Sequence, residues 1–221
     1  MTIAMGPGTK GAKTTQDLRT RDRLLQVAAE MFADRGFKKV TIREISAAAQ
    51  ANVAAVNYHF GDKDALYRAV VQRAIEAMRE TNDLSREAGR GTPPETQLRA
   101  YIRVFLSRLT GHDRLSWIHR LMSREMEGPS EVTRLVLREV LEPRMQHLSA
   151  IVGEIAGLPP DDPRVMRAVL SIQGQILLFG RPIAPRTPQL WARLLADSPV
   201  AADHIANFSI AAIRGLAALP A

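Results

Sequence analysis

The chain has 221 residues, a formal net charge of +7, 46% hydrophobic residues and no cysteine. The lack of cysteine excludes a disulfide framework, a thiolate metal site and a cysteine nucleophile, while the basic balance favours polyanionic partners such as nucleic acid. A chain of this length forms one or two domains with a substantial core, and apolar positions recurring at helical spacing almost throughout predict an all-α protein.

Residues 1–16, MTIAMGPGTKGAKTTQ, read as a disordered basic tail without the apolar core of a signal peptide. A first helix is predicted from about Thr15 to Arg35, with Leu24, Leu25, Ala28, Ala29 and Phe32 as its apolar stripe and Gly36 as its C′ residue. Thr41 and Glu44 make a T-x-x-E capping box, after which Ile42, Ile45 and Ala49 share one face. The pattern breaks at Gln50-Ala51, and Asn52 can cap a second short helix, VAAVNYHF, with Val56 and Phe60 turned inward. Two helices of about two turns each, joined by a short turn, have the dimensions of a helix-turn-helix unit. Periodicity alone is equally compatible with an ordinary αα-hairpin packed through small residues.

The outward face of the second helix suits DNA. Val53 and Ala54 are small enough for close approach and can touch a thymine methyl, and Asn57 can pair with an adenine edge. Tyr58 and His59 end in groups suited to phosphate oxygens, and Lys63 follows as a point charge. With Thr41, Arg43 and Asn52 these residues form the predicted DNA-contact set, in which Arg43 and Asn52 join Val53, Ala54 and Asn57 as base readers.

These residues carry a resemblance. Ala28 and Phe32, Arg35-Gly36-Phe37, Thr41, Ile45, Asn57-Tyr58-His59-Phe60, Lys63, Leu66 and Tyr67 fall in the order found in the DNA-binding domain of TetR family transcriptional regulators, over about fifty residues from Arg23 to Ala69. One position departs: family members usually have Gly where this chain has Gln50, at a turn that often needs positive φ. The resemblance implies an N-terminal three-helix helix-turn-helix domain (17–62) and a C-terminal helical ligand-binding and dimerisation domain (63–221).

After Gly61, Asp62 can cap a long helix to about Asp83, which would act as a lever between the DNA-reading head and the rest. Ser85 to Pro94 reads as a linker. Helices are then expected over Glu95–Thr110, His112–Met126 and from Ser130 to about Ile155, the last bent or split at Pro143. Asp161-Asp162-Pro163 is a strong start signal for a helix to Phe179. RPIAPRTP is a second linker, followed by a short helix over Pro188–Ala196 and a last helix over Val200–Ala218.

The helix ending at Phe179 is apolar nearly all round, and such a helix must be covered on every face. Val165, Val169, Ile172 and Ile176, with Ile205, Phe208 and Ile213 of the last helix, are therefore the predicted homodimer interface. TetR family resemblance implies the same arrangement. Two heads on one axis could read pseudo-palindromic half-sites about 34–36 Å apart. The second half also resembles the CecR (YbiH-like) subgroup, through Leu121-Met122-Ser123-Arg124-Glu125-Met126, Pro143, the Pro159–Pro163 stretch and Ser171-Ile172-x-Gly174-Gln175. That resemblance implies a small-molecule effector and control of transport or efflux genes. Candidate pocket residues are Phe105, Trp117, Arg120, Leu121, Gln173 and Phe179, which could stack a planar ligand or orient a polar group, although each also fits a core position. Met122, Met126, Met145 and Met166 read as plastic core filling.

Catalysis is the competing class. His112 and His119 share a helical face, but no acid completes a metal-ligand pattern, and a cap explains Asp161-Asp162. No catalytic residue, metal or cofactor is expected. The expectation is a cytoplasmic, membrane-free homodimeric repressor released from operator DNA by a small molecule. The alternative is a small-molecule-binding or scaffold protein whose head no longer reads DNA.

Overall fold

The computed structural model describes residues 10–110, 116–125, 131–180 and 198–220. Among these residues every regular element is helical. His112, Met126, Gly128-Pro129, the Ser130 cap, the second linker and the helix expected over Pro188–Ala196 lie outside the described residues, as does the tail before residue 10. Two compact units result, one from residues 1–74 and 117–130, the other from residues 75–116 and 131–221. The expected boundary at residue 62 is thus displaced into the long helix, and a later helix joins the head.

In the first unit, α1 (Lys10–Arg35) packs against α2 (Ile42–Ala48) and α3 (Val53–Phe60). α1 begins five residues earlier than Thr15, so part of the expected tail is helical. Leu24, Leu25, Ala28, Ala29 and Phe32 are buried as its stripe predicts, and meet Val40, Ile45, Ala49 and Val56 in the same core. Gly36 turns the chain at φ 79°, and its N–H reaches the Phe32 carbonyl at 2.9 Å. Phe32, Phe37 and Tyr67 form an aromatic cluster with ring centroids 4.9–6.0 Å apart.

The turn between α2 and α3 keeps its geometry despite the missing glycine. Gln50 adopts φ 50°, the single positive φ among the described non-glycine residues. Its N–H bonds Ala47 O at 3.1 Å, Ala51 N–H bonds Ser46 O at 2.9 Å, and Arg23 Nη2 donates to Gln50 O at 3.4 Å.

α4 runs without a break from Lys63 to Gly89 and supplies residues to both units. The stretch from Ser85 to Gly89, expected as linker, is its last turn. Thr81, Asn82 and Ser85 are buried and each finds a backbone acceptor; Ser85, the one of the three that falls in the expected linker, donates to Asn82 O at 2.7 Å. α6 (Ser116–Glu125) belongs to the first unit. It buries Trp117, Ile118 and Leu121. Its Arg124 donates to the Ala33 carbonyl at 2.9 Å and the Asp34 carbonyl at 2.6 Å. Those are carbonyls of the last turn of α1, which lack intrahelical partners and attract a cation.

The second unit is built on α5 (Pro94–Thr110), α8 (Glu142–Ala156), α9 (Pro163–Phe179) and α10 (Ser198–Arg214), all in mutual contact around one core. α7 (Glu131–Val136) leads into α8 through a π-helical segment, Leu137–Leu141, closed by a bond from Glu142 N–H to Leu137 O. The predicted disturbance at Pro143 thus takes the form of a π segment just before the proline, which has no N–H to give. Gly157, at φ 66°, ends α8, and Asp162 caps α9 with Pro163 in its first turn, as predicted. Met145 packs against the core, whereas Met166 is exposed rather than core filling.

A left-handed non-glycine residue costs about 1–2 kcal/mol against roughly 0.5–1 kcal/mol of backbone entropy for glycine. Gln50→Gly should therefore raise stability by roughly 0.5–1 kcal/mol, read as a higher denaturation midpoint. A lower midpoint would contradict the strain assigned to this turn.

Candidate nucleic-acid interface

Three helix starts position the reading face. At α2, Thr41 Oγ1 accepts from Glu44 N–H at 3.3 Å and donates to Glu44 Oε2 at 2.7 Å, while Thr41 N–H donates to the same carboxylate at 2.8 Å. Arg35 adds an ion pair to Glu44 at 2.7 Å. The Thr41 side-chain hydrogen bond, followed by the Arg35 bond, holds the Glu44 carboxyl down at about 2. At α3, Asn52 Oδ1 accepts from Ala54 N–H at 3.0 Å. At α4, Asp62 Oδ1 accepts from Ala65 N–H at 2.7 Å. Backbone donors at these helix starts are thereby satisfied, so α3 has a defined angle.

With Val56 fully buried, the opposite face of α3 is bare. Val53, Ala54, Asn57 and Tyr58 are exposed there, Tyr58 at 77%. Arg43 is exposed on α2, and Lys38 and Lys39 stand exposed just before it. Sequence reasoning did not single out that lysine pair, although its charge and adjacency to the capping box were visible. The other members of the predicted set have partly different employment. Asn52 and Thr41 commit side-chain oxygens to caps. His59 is half-buried, its ring 5.0 Å from Tyr58 and 6.3 Å from Phe60. Lys63 Nζ lies 4.3 Å above the Phe37 ring, which fixes its position at the start of α4.

The six pocket candidates do not converge in the second unit. Trp117 and Leu121 are buried in the first unit, and Arg120 is engaged there by Glu30 at 2.6 Å and Asp34 at 2.8 Å. Phe105 and Gln173 do meet, around Tyr101: the Tyr101 and Phe105 rings are 4.5 Å apart, and Gln173 Nε2 donates to the Tyr101 hydroxyl. Phe179 lies 6.0 Å from His204.

The predicted interface residues also need correction. Val165, Val169, Ile172, Ile176, Ile205 and Ile213 are all buried within the chain, at 2% exposure or less. Only Phe208 is exposed, at 61%. The outward apolar row of α9 is instead Met166, Leu170, Leu177 and Leu178. Both rows repeat at helical spacing, and the neighbouring α5 and α8 decide which is inside.

Among the described residues no cluster of three ligand-type side chains could hold a metal, and no helix is long and apolar enough to cross a membrane. Capped short helices presenting a bare row, followed by a separate helical unit, define a helix-turn-helix transcriptional regulator. The family model for bacterial regulatory proteins of the tetR family matches residues 24–70, and that for the C-terminal domain of the HTH-type transcriptional dual regulator CecR matches residues 94–213. The chain belongs to the TetR family and carries a CecR-type C-terminal domain. It is therefore a DNA-binding regulator and not an enzyme. The chain is 28% identical to the dual regulator CecR of Shigella flexneri over 177 residues, covering 76% of this chain and 78% of that one. It is 27% identical to the repressor NicS of Pseudomonas putida over 221 residues, covering 93% and 96%. Its fold is similar to that of AibR, solved in complex with isovaleryl coenzyme A and operator DNA, with a TM-score of 0.65 at 17% identity, covering 86% of this chain and 97% of that one.

Because the Glu44 carboxyl is depressed from 4.5 to about 2, its contribution is complete above pH 4.5 and is lost as pH falls towards 2. Glu44→Gln should shallow the fall in unfolding free energy over that window, measured in denaturant titrations at successive pH values. An unchanged slope would show that this carboxylate does not hold the head.

Proposed function

We propose that the chain is a homodimeric repressor that a small molecule releases from a pseudo-palindromic operator. The observation that carries the DNA part is the bare Val53–Ala54–Asn57–Tyr58 face on a capped α3. Asn57, with Arg43, Val53, Ala54 and the free amide of Asn52, reads base edges. Tyr58, His59, Lys63 and the Lys38-Lys39 pair hold phosphates.

Dimerisation is supported by the outward apolar row. Leu170 at 63%, Leu178 at 56% and Phe208 at 61% exposure lie on α9 and α10, and exposed residues this large, repeated along neighbouring helices, form a patch that favours a partner. A groove of about 300 Å³ between the two helices shares Phe208 with this surface. The occupant is a second copy, as is typical of the family. The effector part is supported by a structural relative that holds both a coenzyme A thioester and operator DNA. An effector in the second unit that binds better when the C-terminal half of α4 shifts would move its N-terminal half as well, since α4 is one helix. Such coupling takes a differential affinity of about 1–3 kcal/mol. The cytoplasm is the site of action, and transport or efflux genes are the targets that the CecR likeness suggests.

Tyr58→Ala or Lys63→Ala should weaken binding to all duplexes alike, and Lys63→Ala alone should also lower the salt slope by about 1. Asn57→Ala should cost about 1–3 kcal/mol at a single base position, read by competition with singly substituted operators. If neither class of change alters DNA binding, α3 is not the reading helix. For the dimer, Leu170→Glu should yield monomers in sedimentation and lose operator affinity at least tenfold, and a dimer of unchanged affinity would reject the assigned surface.

A further inference from the structure

In the second unit the part-buried Arg144 of α8 has no carboxylate partner among the described residues, whereas the exposed Arg79, Arg103 and Arg214 each hold one. Its guanidinium lies 4.5 Å above the Phe105 ring, and its Nε donates to Asn82 Oδ1 at 3.0 Å. Both terminal nitrogens lack an acceptor among the described residues. A guanidinium withdrawn from water without a counter-charge is costly, and an aromatic face offsets only part of the loss. Burial lowers the Arg144 pKa, and the neighbouring Tyr101 phenol works in the opposite direction as the lesser effect. The neighbouring Arg86 already has a carboxylate, Asp83, at 3.8 Å. Arg86 donates to the Pro143 carbonyl at 3.2 Å, and His147 has its pKa lowered by burial and then by Arg86.

A second donor stands in the same place. Tyr101 is fully buried, its ring 4.5 Å from Phe105, and its oxygen accepts from Gln173 Nε2. That leaves the phenol proton to be given elsewhere. Burial pushes the Tyr101 pKa up to about 12, so the proton is present at any physiological pH.

We propose that Arg144 and Tyr101 bind the carboxylate of a small organic acid with an apolar body, and that this acid is the effector. The planar fork of Arg144 matches the two carboxylate oxygens, and Tyr101 donates to one of them. Asn82 makes the site a regulatory one. It accepts from Arg144 and donates to Val140 O at 3.1 Å, so an acid that draws the guanidinium towards itself disturbs a bond made directly to α4. This inference rests on the reading that the second unit takes an effector.

The test uses the full-length protein with butyrate, octanoate and benzoate, each beside its amide at equal ionic strength, followed by thermal melting and by affinity for operator DNA. At least one acid should raise the melting temperature and weaken DNA binding while its amide does neither. Arg144→Gln should abolish the response, and Tyr101→Phe should raise the dissociation constant about tenfold. Should Arg144→Gln fail to fold, Arg144→Lys keeps the charge without the fork and should still lose at least tenfold in affinity. The proposal is overturned if no acid shifts the melting temperature, if acid and amide act alike, or if Arg144→Gln responds as the parent does. Release from DNA by an amide alone would overturn the acid site and leave effector control standing. An acid that binds through Arg144 without altering DNA affinity would keep the site and remove effector control.

Discussion

The reading head depends on hydrogen-bond satisfaction at three successive helix starts. α3 has only eight residues, far below the length at which a helix holds itself in water. It persists because Thr41, Asn52 and Asp62 each accept a backbone N–H, because Glu44 returns a bond to Thr41, and because Val56 is sealed in the core of α1 and α2. The same caps that stabilise the helices fix the direction of the exposed row. Stability and DNA reading therefore share residues: a cap lost at Thr41 or Asn52 would loosen the angle of α3 before it unfolded the head.

Arginine does a second kind of work in this chain, which after Lys63 contains no lysine. Arg124 caps the end of α1 through two carbonyls, and Arg120 takes two carboxylates on the same helix. The planar, multiply donating guanidinium can satisfy several acceptors in fixed directions, which a lysine ammonium cannot. Arg144 uses one donor and stacks on Phe105, and its other donors meet no acceptor among the described residues. The contrast between these arginines is what separates docking from recognition here.

Much of the head was legible in the sequence because its determinants are local. The capping box, the Asn52 cap, the positive φ at Gly36 and the strained position at Gln50 each follow from residues a few positions apart. What was not legible depends on partners distant in the chain. The repeat of α9 shows two apolar rows, and only the packing of α5, α8 and α10 turns Val165, Val169, Ile172 and Ile176 inward and leaves Leu170 and Leu178 outside. The stretch from Ser85 reads as linker because of its polar, glycine- and proline-rich composition, yet α4 continues to Gly89 beside Asn82, whose acceptor Val140 O lies some sixty positions away in the chain. Trp117 and Arg120 carry the chemistry of a pocket wall, yet their place is set by Glu30, Asp34 and the end of α1. Nor can a sequence show that Arg144 meets no acid among the described residues, since that depends on which of the chain's 23 acidic residues the packing brings near.

Hydroxyl-radical footprinting of the full-length protein on its own promoter DNA at low ionic strength addresses the central claim most directly. Two protected blocks on one face of the duplex, about one helical turn apart and symmetric about a centre, are the expected result. A single unpaired block, or no protection under conditions where the protein is folded, would contradict a paired head read through α3.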